Sequence, residues 1–294
     1  MAAATVRWIQ HRARQAPCGR RFFRHPLAAL ALGVLIFFSV IALAAPLVAP
    51  YLATHQRDIV LLQNQPPSWL HPLGTDLYSH DVWSRIVYGA RVSLAIGALA
   101  AVMAVLAGTA VGAVSGYFRR WVDAGLMRLV DVGLALPRIL LVLVVVALFG
   151  RLSVVGLVLL IGGTGWFATS RLVRAEVLGL RERAFVDAAH ALGAGPGRVI
   201  ARHLLPNVAA TVIISTTLGI GHVMLLEAGL SFLGVGVAPP TPSWGNMIAD
   251  GAPQLVAAPW SALAPGAAIA IVVMALNAVG DALRDALDPR QEIP

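Results

Sequence analysis

No lysine occurs anywhere in the 294 residues; every one of the 22 basic positions is arginine. A P-loop of the form G-x-x-x-x-G-K-[ST] needs its lysine to reach the β- and γ-phosphates, so the chain does not hydrolyse ATP by that route. Cysteine is nearly absent too. Cys18 alone excludes an internal disulfide and a cysteine-rich metal site. Charge is sparse: Asp, Glu and Arg make up 12% of the chain, about half of what a soluble domain carries. What fills the chain is apolar, at 58% hydrophobic residues and a mean hydropathy of +0.79. The class that remains is a polytopic, all-α membrane protein. The net charge of +8 does not point to nucleic acid, because the arginines are spread loop by loop and form no single patch.

Charged residues bracket six apolar runs: 27–49, 92–118, 129–150, 152–170, 208–226 and 261–280. Each approaches or exceeds the ~20 residues that cross ~30 Å of hydrocarbon. Six transmembrane helices follow. If the N-terminus is cytoplasmic, the inner segments hold Arg7, Arg12, Arg14, Arg20, Arg21, Arg24, Arg119, Arg120, Arg128, Arg171, Arg174, Arg181, Arg183, Arg198, Arg202, Arg284 and Arg290. The outer segments then hold only Arg57, Arg85, Arg91 and Arg151. The positive-inside rule therefore places both termini in the cytoplasm. The first run is too long for the ~7–15-residue core of a signal peptide, so it reads as an uncleaved anchor.

The division that results is a cytoplasmic tail over 1–26, a first transmembrane helix over 27–49, and an extracytoplasmic loop over 50–91. A core of five transmembrane helices over 92–283 and a tail over 284–294 complete it. The long loop is expected to carry a helix lying on the membrane surface through Leu77, Val82, Ile86 and Val87, with Thr75 or Asp76 as its cap. The segment 228–260 is apolar but broken by Pro239, Pro240, Pro242, Pro253 and Pro259. It reads as a short re-entrant or surface element on the outer face, not as a seventh span.

A basic helix–turn–helix over 181–207 stands out between two spans. Ala184, Phe185, Ala188, Ala189 and Leu192 are expected on one helical face, with Arg183 and Asp187 paired on the other. Gly193 and Gly195 end the first helix, Pro196 starts a second, and Pro206 is expected to interrupt it. Gly108-x3-Gly112-x3-Gly116 allows close helix approach, with packing inside the subunit expected over a dimer contact. Ionisable residues inside spans are costly and mark pairing or a pathway. Arg138, His222 and Glu227 are the candidates for a pathway or gate, while Asp131 lies close enough to the span end to reach water. His71, Asp76, His80 and Asp81 admit a metal-ligand reading beside the capping one. No nucleophile elbow and no H-E-x-x-H occurs.

The order Asp187-Ala188-Ala189, Gly193, then Leu205-Pro206-Asn207 resembles the EAA loop of ABC-importer permeases. Asp187 stands where that family commonly has glutamate, so the charge is kept. The segments 71–76 (HPLGTD) and 89–93 (GARVS) resemble permeases of the dipeptide/oligopeptide/nickel subfamily. So do 230–234 (LSFLG), 242–246 (PSWGN) and the C-terminal Gly280-Asp281 through Asp288-Pro289-Arg290. His80 replaces a common arginine. These blocks cover most of residues 70–290 and are similar to the C-type permease subunit. The resemblance implies the type I ABC-importer permease fold in the inner (plasma) membrane of a bacterium. It implies a homologous B-type permease, two ABC ATPase subunits and an extracytoplasmic substrate-binding protein as partners. ATP and Mg would be bound by those ATPases, with no cofactor or metal in this chain. Arg183, Asp187, Ala188, Ala189, Gly193 and Pro206 would carry the ATPase coupling. The cargo implied is di- or oligopeptide, with nickel, glutathione or another small solute as alternatives. A secondary transporter working without ATP would show paired repeats, and none is detectable here.

Overall fold

The computed structural model describes Phe22, residues 26–54, residue 56 and residues 58–287. Cys18, Arg57, Arg290 and the six arginines of the N-terminal tail lie outside them. The described elements are helices: α1 (Pro26–Leu43), α2 (Ala45–Val48), α3 (Ile59–Leu62), α4 (Val82–Phe118), α5 (Arg120–Ala135) and α6 (Arg138–Phe149). They continue as α7 (Val154–Gly163), α8 (Trp166–Arg181), α9 (Ala184–Ala191), α10 (Pro196–Val199), α11 (Leu205–Phe232), α12 (Trp244–Gly251) and α13 (Trp260–Leu287). Five stretches are long and apolar enough to cross a membrane: α1, α4, α7–α8, α10–α11 and α13. The sixth expected span is a bent pair, α5 and α6, which meet at 84°.

That bend corrects the reading of 129–150 as one straight helix. Pro137 lacks an N–H and pushes the residue before it out of the helical region. Leu136 accordingly sits at φ −94, ψ 132, and the chain restarts as a helix at Arg138.

The surface helix expected before the second span is corrected as well. Residues 82–91 are the first turns of α4, which runs unbroken for 37 residues. Val82, Ile86 and Ala90 are buried against Trp244 and Met247 of α12, so this face already has a protein partner. The cap is Asp81, whose carboxylate accepts from the Ser84 amide at 2.8 Å. Asp76 instead closes a turn, accepting from the amides of Tyr78 and His80.

α12 is the short element expected within 228–260. Ser243 and Asn246 form a capping box at its start. Trp244 is fully buried, its indole donating to the Ile86 carbonyl at 2.9 Å and its ring meeting Phe38 edge-on.

At this end of the bundle, polar groups tie the 64–82 loop to α4 and α12. Arg85 bridges Asp76 and Asp250, His80 pairs with Asp76, and His71 pairs with Asp81. Two histidine–carboxylate couples thus take the residues that a metal reading would have needed together. Among the described residues, no group of three or more His, Cys, Asp or Glu converges.

Burial would raise the Asp76 carboxyl, but the hydrogen bond from His80 and the charge of Arg85 outweigh it and hold it below the ordinary carboxylate range. A depressed folded value means this stabilisation is complete above pH ~4 and is lost as pH falls through the folded value. Asp76→Asn is expected to cost about 2 kcal/mol at pH 7. Melting in detergent should then fall less steeply below pH ~4 than for the wild type. An equally steep acid limb would show that Asp76 is not the titrating group.

α8 packs against the C-terminal half of α4. Their contact is the glycine ladder: Gly108 faces the Trp166 carbonyl, Gly112 the Ser170 carbonyl and Gly116 Val177. The small-residue repeat therefore packs within the subunit, as expected.

Candidate functional site

The loop between α8 and α11 is built from its buried side outward. In α9, Val186 and Ala189 face inward and join Val173, Val177, Val199, Leu204 and Val208 in one cluster. These apolar side chains come from α8, α10, α11 and the π turn that joins the last two, so α9 is seated in a cluster shared by all of them. The opposite face carries Ala184, Phe185, Ala188 and Leu192, all exposed, with Leu192 at 88%. Sequence periodicity had put Ala189 on that face with them. In the structure the two faces are separate, because Val186 and Ala189 are the residues of α9 that are buried.

Gly193 ends α9 at φ +78, a left-handed value that suits glycine. Its N–H donates to the His190 carbonyl at 2.9 Å and the Ala194 N–H to the Ala189 carbonyl at 3.0 Å. This is a Schellman closure, and it fixes the exit angle toward α10. Asp187 lies in the first turn of α9, where a carboxylate is favoured. Among the described residues Arg183 and Asp187 form no ion pair, unlike the neighbouring Arg119–Glu182, Arg171–Asp131 and Arg174–Asp123. Both are exposed, and water satisfies them separately at little cost.

Pro206 does not break the helix. A π segment over Ile200–Leu204 widens the turn before it, and the Leu205 N–H reaches back five residues to the Ile200 carbonyl. The wider turn removes the clash that a proline ring makes with the carbonyl four residues earlier. Residues 196–232 thus run as one helical rod from the loop into the bundle.

The loop is tied to α4 by a feature absent from the sequence argument. Arg181 donates to the Tyr117 carbonyl, and its guanidinium lies 5.6 Å from the Tyr117 ring centre. The His190 ring stands 6.3 Å from the same ring. Tyr117 at the end of α4 therefore touches both α8 and α9. An aromatic just before two arginines was the available signal, but its partner lies 64 residues away.

Deeper in the bundle, a cavity of about 670 Å³ opens between α4, the α5–α6 bend, α8 and α11. Arg138 and His222 both line it, so two of the three pathway candidates come together. Arg138 donates to the Ile161 carbonyl at 2.6 Å. α7 ends at Gly163 and the Gly165 amide turns to Gly162, so the Ile161 carbonyl is left to side chains, Arg138 and, at 3.3 Å, the Thr164 hydroxyl. Glu227 is elsewhere. It is buried against α12, accepting from the hydroxyls of Ser231 and Ser243 at 2.7 and 2.9 Å, outside the cavity lining. Its observed role is to fasten α11 to α12. Asp131 pairs with Arg171 while both stay about half exposed.

Residues 108–293 match the family described as binding-protein-dependent transport system inner membrane component. Residues 18–67 match the N-terminal transmembrane domain of oligopeptide transport permease C. A dipeptide transport system permease protein of Alkalihalophilus pseudofirmus is 41% identical over 92% of this chain and 88% of its own length. A putative peptide permease of Brucella suis is 41% identical over 93% of this chain and 90% of its own. An oligopeptide transport system permease of Mycobacterium tuberculosis is 40% identical over 92% of each.

Proposed function

Because the chain belongs to the binding-protein-dependent inner-membrane transport components, we propose that it forms half of the translocation pathway of an ATP-driven importer of di- or oligopeptides. The other half is a homologous B-type permease. Two ABC ATPase subunits bind ATP and Mg on the cytoplasmic side, and an extracytoplasmic binding protein delivers cargo. Both termini and α9 face the cytoplasm, a reading supported by arginine placement. The first span stays as an uncleaved anchor.

One observation carries the coupling role: the apolar face of α9, with Phe185 and Leu192 exposed, stands uncovered by any described part of the chain. Its buried side is locked to α8, α10 and α11. An ATPase cleft that grips Ala184, Phe185, Ala188 and Leu192 would transmit its motion through Arg183, Asp187, Ala189 and Gly193. The continuous rod past Pro206 would carry that motion on to the wall bearing His222. ATP-closed ATPases would then favour the outward-facing state through contacts they make only in that state.

The test is uptake into proteoliposomes by the reconstituted complex with its binding protein. Peptide should accumulate only with ATP inside the ATPase compartment and only when both ATPases are present. Accumulation driven by an ion gradient, with the ATPases left out, would overturn the reading.

A further inference from the structure

Arg138 is an unusual resident of the cavity. It stands about halfway along the α7–α8 pair, level with the break at Gly165. Among the described residues no carboxylate pairs with it, and no acidic side chain lines the cavity. One guanidinium nitrogen reaches the Ile161 carbonyl, while Nε is buried without a hydrogen-bond partner. Arg138 is also the first residue of α6, and Pro137 before it supplies no side-chain cap. The start of a helix leaves amide N–H groups unsatisfied and carries partial positive charge. Leu136, Pro137 and Arg138 all line the cavity, so this helix start opens into it. A full positive charge and a positive helix end thus meet at one cavity that, among the described residues, has no acidic side chain in its lining. Such an arrangement is costly for a resting protein and suits a visiting anion.

A peptide carries one carboxylate whatever its sequence, at its C-terminus. The rest of the lining fits a cargo of variable side chains: it is mostly small or apolar, with Thr164, Thr169, Ser215 and His222 as scattered polar groups. We propose that Arg138, together with the start of α6, forms a transit subsite that recognises the C-terminal carboxylate of the peptide cargo. The subsite rests on the importer reading above and adds a chemical selection step inside the membrane. It explains why a cation is kept at the bend: Pro137 turns the chain so that guanidinium and helix start point into the same space. A carboxylate held by both would be released when the α5–α6 bend shifts against α11 during the transport cycle.

The experiment compares trialanine with its C-terminal amide in the reconstituted complex. Both are supplied at concentrations that saturate the binding protein, as measured separately on the isolated binding protein. The wild type should move the free acid about tenfold faster than the amide, the worth of one charge-assisted contact. Arg138→Gln should bring the acid-to-amide rate ratio down from about tenfold to within about twofold. Arg138→Lys, which keeps the charge but loses the fork, should retain part of the preference. Equal wild-type rates for acid and amide would overturn the subsite, whether or not the glutamine variant assembles. So would equal slowing of both peptides by Arg138→Gln. Equal slowing with loss of the co-purifying permease would show instead that Arg138 pairs with an acidic side chain of that subunit. Uptake of neither peptide depending on ATP is a different result and would overturn the importer reading itself.

Discussion

Gly193→Pro is expected to cut peptide uptake at least tenfold while leaving the chain folded in the membrane. The reason is local. Gly193 sits at φ +78, and proline is confined near φ −65. The substitution also deletes the N–H that donates to the His190 carbonyl, and with it half of the closure that sets the end of α9. Strain of about 1–3 kcal/mol falls on the end of α9, a short helix whose buried residues are Val186 and Ala189. The loop therefore yields before the bundle does, and the Phe185–Leu192 face is presented at a new angle. ATP-driven uptake is expected to drop at least tenfold, with co-purifying ATPases lost in proportion. Gly193→Asn is the informative control. No heavy atom lies within 4 Å of a side chain placed there, and asparagine tolerates the left-handed region. It should keep most of the activity. Comparable failure of the asparagine variant would mean that something other than backbone geometry is required at this position.

Gly112→Leu destabilises the subunit itself. A Cβ at Gly112 would stand 2.5 Å from the Ser170 carbonyl oxygen and 2.9 Å from the Val173 Cβ. The first of these is helix backbone and cannot swing away. Leucine there forces α4 and α8 apart along their shared length, which opens voids beside Gly108 and Gly116 as well. The expected cost is more than about 3 kcal/mol, read as a large drop in melting temperature and in monodisperse yield from detergent. Gly179→Ala, on the same α8 but with open space around it, should behave as wild type. Wild-type stability of Gly112→Leu would show that the helices are not held at this spacing.

Much of this architecture is legible in the sequence, and the reasons differ by region. Apolar run length marks the spans because a helix must cover a fixed thickness of hydrocarbon. Span ends are harder to read. Polar and small residues at 82–91 look like a surface segment until Trp244 and Met247 cover them, and that contact joins residues some 160 apart. Pro137 lies in an apolar run and Pro206 just before one, yet one bends the chain by 84° and the other passes within a helix. The difference lies in the π segment before Pro206, which no residue type announces. In the loop, the breaking role of Gly193 is visible because a left-handed turn favours glycine. The inward face of α9 is not, since alanine occurs on both sides and Phe185 is exposed while Val186 is buried, so only the neighbouring helices decide which side is covered. Arg138 and His222 could be singled out one by one by charge. Their meeting in one cavity, with Glu227 excluded from it, depends on how α6, α8 and α11 pack.

The most direct test of the account is a cross-link at the tip of α9. In a Cys18→Ser background, single cysteines are introduced at Leu192 and at Leu148, which is also highly exposed but lies near the far end of α6. Cross-linking is then carried out in native membranes with the ATPase subunits present. The account predicts an adduct with an ATPase from position 192, changing in yield when ATP is added, and none from position 148. An ATPase adduct from position 148, or none from 192, would contradict the placement of the coupling surface on α9.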